Sequence, residues 1–123
     1  MRVLYLLTAL ALASPLQAET WECKAPIERI PWSAADLTVE TAETGDAAVR
    51  FGSKIYAATY QLDAEIHTWL LSPNTADGFN GGVLRIDSKR NGALRLEMLR
   101  NGVVIHTDAS FVCRQVEAVS NPG

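Results

Sequence analysis

Apolar and polar residues alternate with a period of two through most of the chain beyond residue 18. In Lys54 to Leu62, Tyr56, Ala58, Tyr60 and Leu62 share one face, and Ile55, Ala57, Thr59 and Gln61 share the other. In Ala93 to Leu99, Leu94, Leu96 and Met98 oppose Arg95 and Glu97; in Val83 to Asp87, Leu84 and Ile86 oppose Arg85 and Asp87. Successive side chains of an extended backbone point to opposite sides, so these segments read as strands with one apolar and one polar face. No stretch beyond residue 18 carries the spacing of an amphipathic helix.

Further strands are expected at Thr20 to Ala25, Leu37 to Thr41, Ala47 to Phe51, Ile66 to Leu71, Val103 to Thr107 and Phe111 to Val116. Turn residues separate them. Glu43-Thr44-Gly45-Asp46 and Asp63-Ala64-Glu65 close hairpins, and Asn91-Gly92 and Asn101-Gly102 are the dipeptides that type I′ turns demand. Pro26 and Pro31 interrupt pairing after the first strand. Ser72 to Gly82, rich in Gly, Asn and Pro, reads as one long loop. About eight short strands at this spacing predict an all-β fold, a small antiparallel β-barrel or sandwich.

The first eighteen residues depart from this pattern. Arg2 is followed by an apolar run to Ala13, then Ser14-Pro15 and a small residue at Ala18. That order is the one secretory signal peptides share. It predicts cleavage after Ala18, a single domain over 19–123, and a periplasmic or secreted protein. The run is shorter than the roughly 20 residues a membrane span needs, so no stable span is expected once it is removed.

An oxidising compartment gives meaning to Cys23 and Cys113, the only two cysteines. They fall on the first and last expected strands, where a sheet closing on itself brings its ends together. A bond between them is expected, and closing so long a loop contributes about 4–5 kcal/mol in the chain-entropy description.

Charge narrows the choice of partner. Residues 19–123 hold ten basic and fourteen acidic side chains, a balance of −4, which argues against general nucleic-acid binding. The balance is uneven: 19–77 carries ten acids and four bases, and 78–123 carries four acids and six bases. Such charge suits the solvated face of a sheet.

Little in the chain points to catalysis. Asp63, Glu65 and His67, or His106 and Asp108, have a spacing at which ligands on a strand could meet a metal, but turn residues at 63–65 explain the first group, and no metal site is expected. No serine sits in a Gly-x-Ser-x-Gly elbow. Gly78-Phe79-Asn80-Gly81-Gly82 lacks the lysine and the following helix of a phosphate cradle. No cofactor is expected.

Aromatic residues are the better functional candidates. Trp69 lies on a strand and is expected in the core. Trp32, after Pro31 in an irregular segment, and Phe79, in the Gly/Asn loop, are candidates for exposed anchors.

The stretch Phe51-Gly52-Ser53-Lys54-Ile55-Tyr56 resembles the Ser-Gly-x-x-Tyr loop of bacterial inhibitors of c-type lysozyme, with Gly52 and Ser53 in exchanged order. The second inhibitory motif of that family has no counterpart. Six residues imply a hypothesis and not a family assignment. They add Ser53, Lys54 and Tyr56 to the candidate contacts. The leading expectation is therefore a non-catalytic binding protein for a small molecule or an envelope or target protein. An enzyme inhibitor acting through a surface loop is the first alternative, and a small hydrolase the second.

Overall fold

The computed structural model describes residues 19–116. Segment 1–18, where a signal peptide and its cleavage point are expected, and the tail from residue 117 lie outside the described residues. Eight strands follow one another: β1 (Glu19–Lys24), β2 (Leu37–Thr41), β3 (Asp46–Phe51), β4 (Lys54–Asp63), β5 (Ile66–Leu71), β6 (Phe79–Ile86), β7 (Asn91–Arg100) and β8 (Val103–Val116). Each pairs antiparallel with its neighbour in sequence, and β8 returns to β1 to close a barrel. The expected all-β class and closure are both present. Cys23 stands directly opposite Cys113 in the β1–β8 ladder, and the two are joined, with a Cα–Cα distance of 4.1 Å. No helix among the described residues is long and apolar enough to cross a membrane.

The inward faces are those the alternation indicates. Ala58 on β4, Leu84 and Ile86 on β6, and Leu94 and Leu96 on β7 are buried, together with Trp21, Leu37, Val39, Val49, Trp69, Leu71 and Phe111. These side chains fill the barrel, as interiors of eight-stranded barrels commonly are filled. Trp69 is fully buried, and its indole N–H donates to Thr41 Oγ1 at 2.8 Å. Outside, Arg95 meets Asp108 at 3.3 Å across β7 and β8, an exposed pair of the kind that contributes little to stability.

Three expectations need correction. Asn91-Gly92 is not a turn. The chain reverses at Asp87–Arg90, where Asp87 Oδ1 accepts from the backbone N–H groups of Lys89 and Asn91, both at 2.9 Å, and Arg90 takes a positive φ of 67°. An aspartate that folds back on its own backbone competes with the Asn-Gly signal. Gly92 lies inside β7 because nothing larger fits: a Cβ there would stand 2.7 Å from Cys113 Sγ.

The loop expected over Ser72 to Gly82 ends early. It contains a 3₁₀ turn at Thr75–Asp77, and β6 starts at Phe79 with a bulge between Phe79 and Gly81. Gly82 is a strand residue pressed against the Arg95 carbonyl. Finally, Val103 to Thr107 and Phe111 to Val116 are one strand. Asp108, Ala109 and Ser110 continue the ladder opposite Arg95, Leu94 and Ala93.

Candidate functional site

Because the interior is filled, binding surface has to be sought at the barrel ends and on the outer wall. One end gathers the β3–β4 turn at Gly52-Ser53, the loop between β5 and β6, and the Asn101-Gly102 tip. A pocket of about 320 Å³ opens here. Lys54 and Tyr56 of β4, Phe79 of β6 and Met98 of β7 line it with Ser72, Pro73, Asn74 and Asp77 of the loop. Tyr56 and Phe79 pack with ring centroids 4.6 Å apart and form an apolar floor. Lys54 and Asp77 place opposite charges on the rim, and both are exposed.

The loop holds its shape through its own polar groups. Asn74 Nδ2 donates to Asp77 Oδ2 at 3.1 Å. The backbone N–H of Asn74 donates to the Phe79 carbonyl at 2.8 Å, and the N–H of Phe79 donates back to the Asn74 carbonyl at 3.0 Å. A pocket wall braced in this way loses less conformational freedom when something binds than a free loop would.

Three of the five candidate contacts, Lys54, Tyr56 and Phe79, therefore meet in one pocket. Ser53 is exposed in the adjoining turn. Phe79 is not an exposed anchor: only 2% of it is accessible, since its place at the start of a strand turns it into the core cluster. Met98, Asn74 and Asp77 were not singled out from sequence. The inward face of β7 marks Met98, whereas no periodicity marks the two loop residues.

Trp32 lies elsewhere. It sits in a 3₁₀ turn, Trp32–Ala34, between two cations. Its ring has the Arg114 guanidinium 4.7 Å and the Lys24 ammonium 5.2 Å from its centroid. Arg114 donates in turn to Glu22 Oε1 from Nε at 3.1 Å and from Nη2 at 2.9 Å, and Lys24 Nζ donates to the Ile27 carbonyl at 3.1 Å. Lys24 is buried as a result. Trp32 thus pins the segment between β1 and β2 to the barrel wall.

At the opposite end, His67 faces inward. Its Nδ1 lies 2.7 Å from the Tyr60 hydroxyl, and its ring lies 5.1 Å from that of Trp21 and 6.0 Å from that of Trp69. Burial, with a smaller contribution from the Glu19 carboxylate, raises the Tyr60 pKa above its ordinary value. Trp21 Nε1 is buried with no protein partner among the described residues. A shallow depression of about 180 Å³ beside Tyr60 is lined by Glu19, Thr41, Ala42, Glu43 and Gly45. His106 stands on the exposed part of β8, far along the fold from this cluster, while Asp63 and Glu65 sit in solvent. Among the described residues, no three His, Cys, Asp or Glu side chains come together as metal ligands would.

A wider and shallower depression of about 540 Å³ lies on the outer wall, among Pro26, Ile66, Arg85, Ala93, Ser110 and Phe111. The smaller pocket at the barrel end combines an aromatic floor, opposite charges and a braced loop, which suits recognition better. Comparisons with family models, with curated proteins and with solved structures return no match.

Proposed function

We propose that this is an exported, non-catalytic binding protein that holds its ligand at the barrel end formed by Lys54, Tyr56, Phe79, Met98 and the loop from Ser72 to Asp77. One observation carries the reading. A filled barrel leaves a pocket of about 320 Å³ at one end, with two packed, mutually tilted aromatic rings below and a lysine and an aspartate at the lip. This volume is at the small end of the range for ligand sites, about 300–1,000 Å³. It suits a small molecule, or one side chain of a larger partner, with an apolar body and polar groups at its margin. Export to a periplasm or the exterior, after cleavage at Ala18, is part of the same reading. The residue 1–18 pattern and the Cys23–Cys113 bond support it.

The anionic aromatic dye anilinonaphthalene sulfonate tests the pocket. It should bind the natively folded protein with a blue-shifted emission, and Tyr56→Ala and Lys54→Glu should each weaken binding by about fivefold or more. Cooperative melting of each variant checks that folding is intact. Dye affinity unchanged from that of the parent in both variants would discard the site.

A second reading, inhibition of a c-type lysozyme, draws on the exposure of Gly52, Ser53 and Lys54 at the tip of the β3–β4 turn beside the pocket. Titrating a c-type lysozyme with the protein should abolish cell-wall lysis at micromolar concentration under this reading. Unchanged lysis at that concentration counts against it.

A further inference from the structure

Between Val103 and Ser110, β8 has a neighbour on one side only. β7 pairs with it along this whole stretch, whereas β1 pairs only with Val112 to Val116. The cause is local. After Lys24 the chain leaves the strand path at Ala25-Pro26, turns through an Ile27 N–H to Ala25 carbonyl bond of 2.7 Å, and runs on to the 3₁₀ turn at Trp32. The barrel seam is closed below and open above.

The turn chemistry fixes which backbone groups face the open side. Asn101 and Gly102 have φ of 52° and 75°, as in a two-residue type I′ hairpin, so Arg100 and Val103 form the hydrogen-bonded closing pair. Odd-numbered residues of β8 then bond to β7, and Val104, His106, Asp108 and Ser110 point their N–H and C=O groups outward. Two bonds agree with this parity. The Leu99 N–H turns away from β8 to the Gly78 carbonyl at 2.7 Å, and the Cys113 N–H turns toward the β7 side, to the Arg90 carbonyl at 2.8 Å. Among the described residues, none of the four outward residues has a backbone partner on that side.

Natural edges are blunted with lysine, proline or bulges. Val103 to Ser110 contains no lysine or proline, and its register with β7 is unbroken. Val103, Val104 and Ile105 are 59%, 46% and 43% exposed.

We propose that this edge pairs antiparallel with the same edge of a second copy, about a two-fold axis through Thr107. The charges select this occupant and this register. On the outer face, Asp108 bridges Arg95, and His106 lies opposite Glu97. Outward groups can pair only with outward groups, so even-numbered residues must face even-numbered ones. An axis at Asp108 would oppose two aspartates. An axis at Thr107 sets His106 of each copy against Asp108 of the other. The row across four strands then reads Glu97, His106, Asp108, Arg95, with acidic and basic groups alternating. The facing pairs Val104 with Ser110 and His106 with Asp108, each occurring twice, supply about eight backbone hydrogen bonds. The contact is isologous and closes at two copies.

Sedimentation of the purified, oxidised protein from about one to several hundred micromolar brackets the affinity of so small an interface. A concentration-dependent passage from monomer to dimer is expected. His106→Ala, at an exposed position, should weaken the dimer about threefold while adding no like charge opposite Glu97 in the monomer, whose melting should stay close to that of the parent. Thr107→Cys should cross-link the dimer under mild oxidation, because the two axial residues face each other at about 4.5 Å between Cα atoms. Ser110→Cys should not, since its two copies lie about 20 Å apart at roughly 3.3 Å per residue. A monomer at every concentration overturns the proposal and leaves the edge to an extended segment of some other protein. A dimer in which Ser110→Cys cross-links as readily as Thr107→Cys overturns it too.

Discussion

Trp69 and Thr41, 28 residues apart in sequence, are joined by a 2.8 Å hydrogen bond inside the barrel. Both residues are buried, so the Thr41 hydroxyl removes the desolvation cost of the indole N–H. Thr41→Val should lower stability by about 1–3 kcal/mol in urea denaturation, because it leaves the donor unpaired in nearly the same volume. Thr41→Ser should retain most of the difference. A valine variant as stable as the parent would show that the bond is energetically idle.

Gly92 and the disulfide are coupled. Gly92→Ala places a methyl group 2.7 Å from Cys113 Sγ and 3.5 Å from Phe111 Cβ, an overpacking expected to cost about 1–3 kcal/mol. Replacing both cysteines by alanine should itself cost about 4 kcal/mol. In that background the sulfur is gone, and Gly92→Ala should cost clearly less. Strictly additive losses across this cycle would refute the contact.

Trp32 is only half-buried, whereas Trp21 and Trp69 are nearly inaccessible, at 4% and 0%. Acrylamide quenching of tryptophan emission should therefore report chiefly on Trp32 and fall in Trp32→Phe. Arg114→Ala uncovers one face of the ring and should increase quenching, with a stability loss of about 0.5–1 kcal/mol for an exposed cation–π contact. Quenching that ignores both substitutions would place the ring elsewhere.

Tyr60 should titrate late. Burial disfavours its phenolate and the Glu19 charge adds to this, so the folded-state pKa lies above the unfolded one. A raised pKa means that the folded form holds its proton longer. Its contribution to stability is intact below about pH 10 and is lost as pH rises through the folded value. Among the described residues the tyrosines are Tyr56 and Tyr60. Phenolate absorbance should show a late step that disappears in Tyr60→Phe, and a single ordinary step in the parent would contradict the assignment.

The barrel was legible because the inward faces of β4, β6 and β7 alternate cleanly, and because the two cysteines mark the strands that meet. The sequence misleads where backbone packing, rather than side-chain pattern, decides. Asn91-Gly92 has the composition of a hairpin turn, but Asp87 captures the backbone earlier and Cys113 requires a glycine at position 92. Phe79 sits among turn formers, yet Gly81 and Gly82 belong to a strand, where the Leu71 carbonyl of β5 approaches Gly81 and β7 passes close to Gly82. The candidate pocket was partly readable: Lys54 and Tyr56 come from one short segment. Met98 and Asp77 reach the same pocket through topology, and nothing local to either residue announces it.

The seam between β1 and β8 gives the order of synthesis a chemical mark. Every other pairing joins neighbours in sequence and needs only a short loop to close, while this one must wait for the eighth strand. A chain cut short before β8 leaves Cys23 without its partner, however well the first seven strands assemble. Formation of the Cys23–Cys113 disulfide, whose two electrons and two protons pass to an oxidant of the surrounding compartment, thus marks a barrel whose last strand has joined, and a thiol-reactive label on Cys23 would distinguish unfinished chains from finished ones.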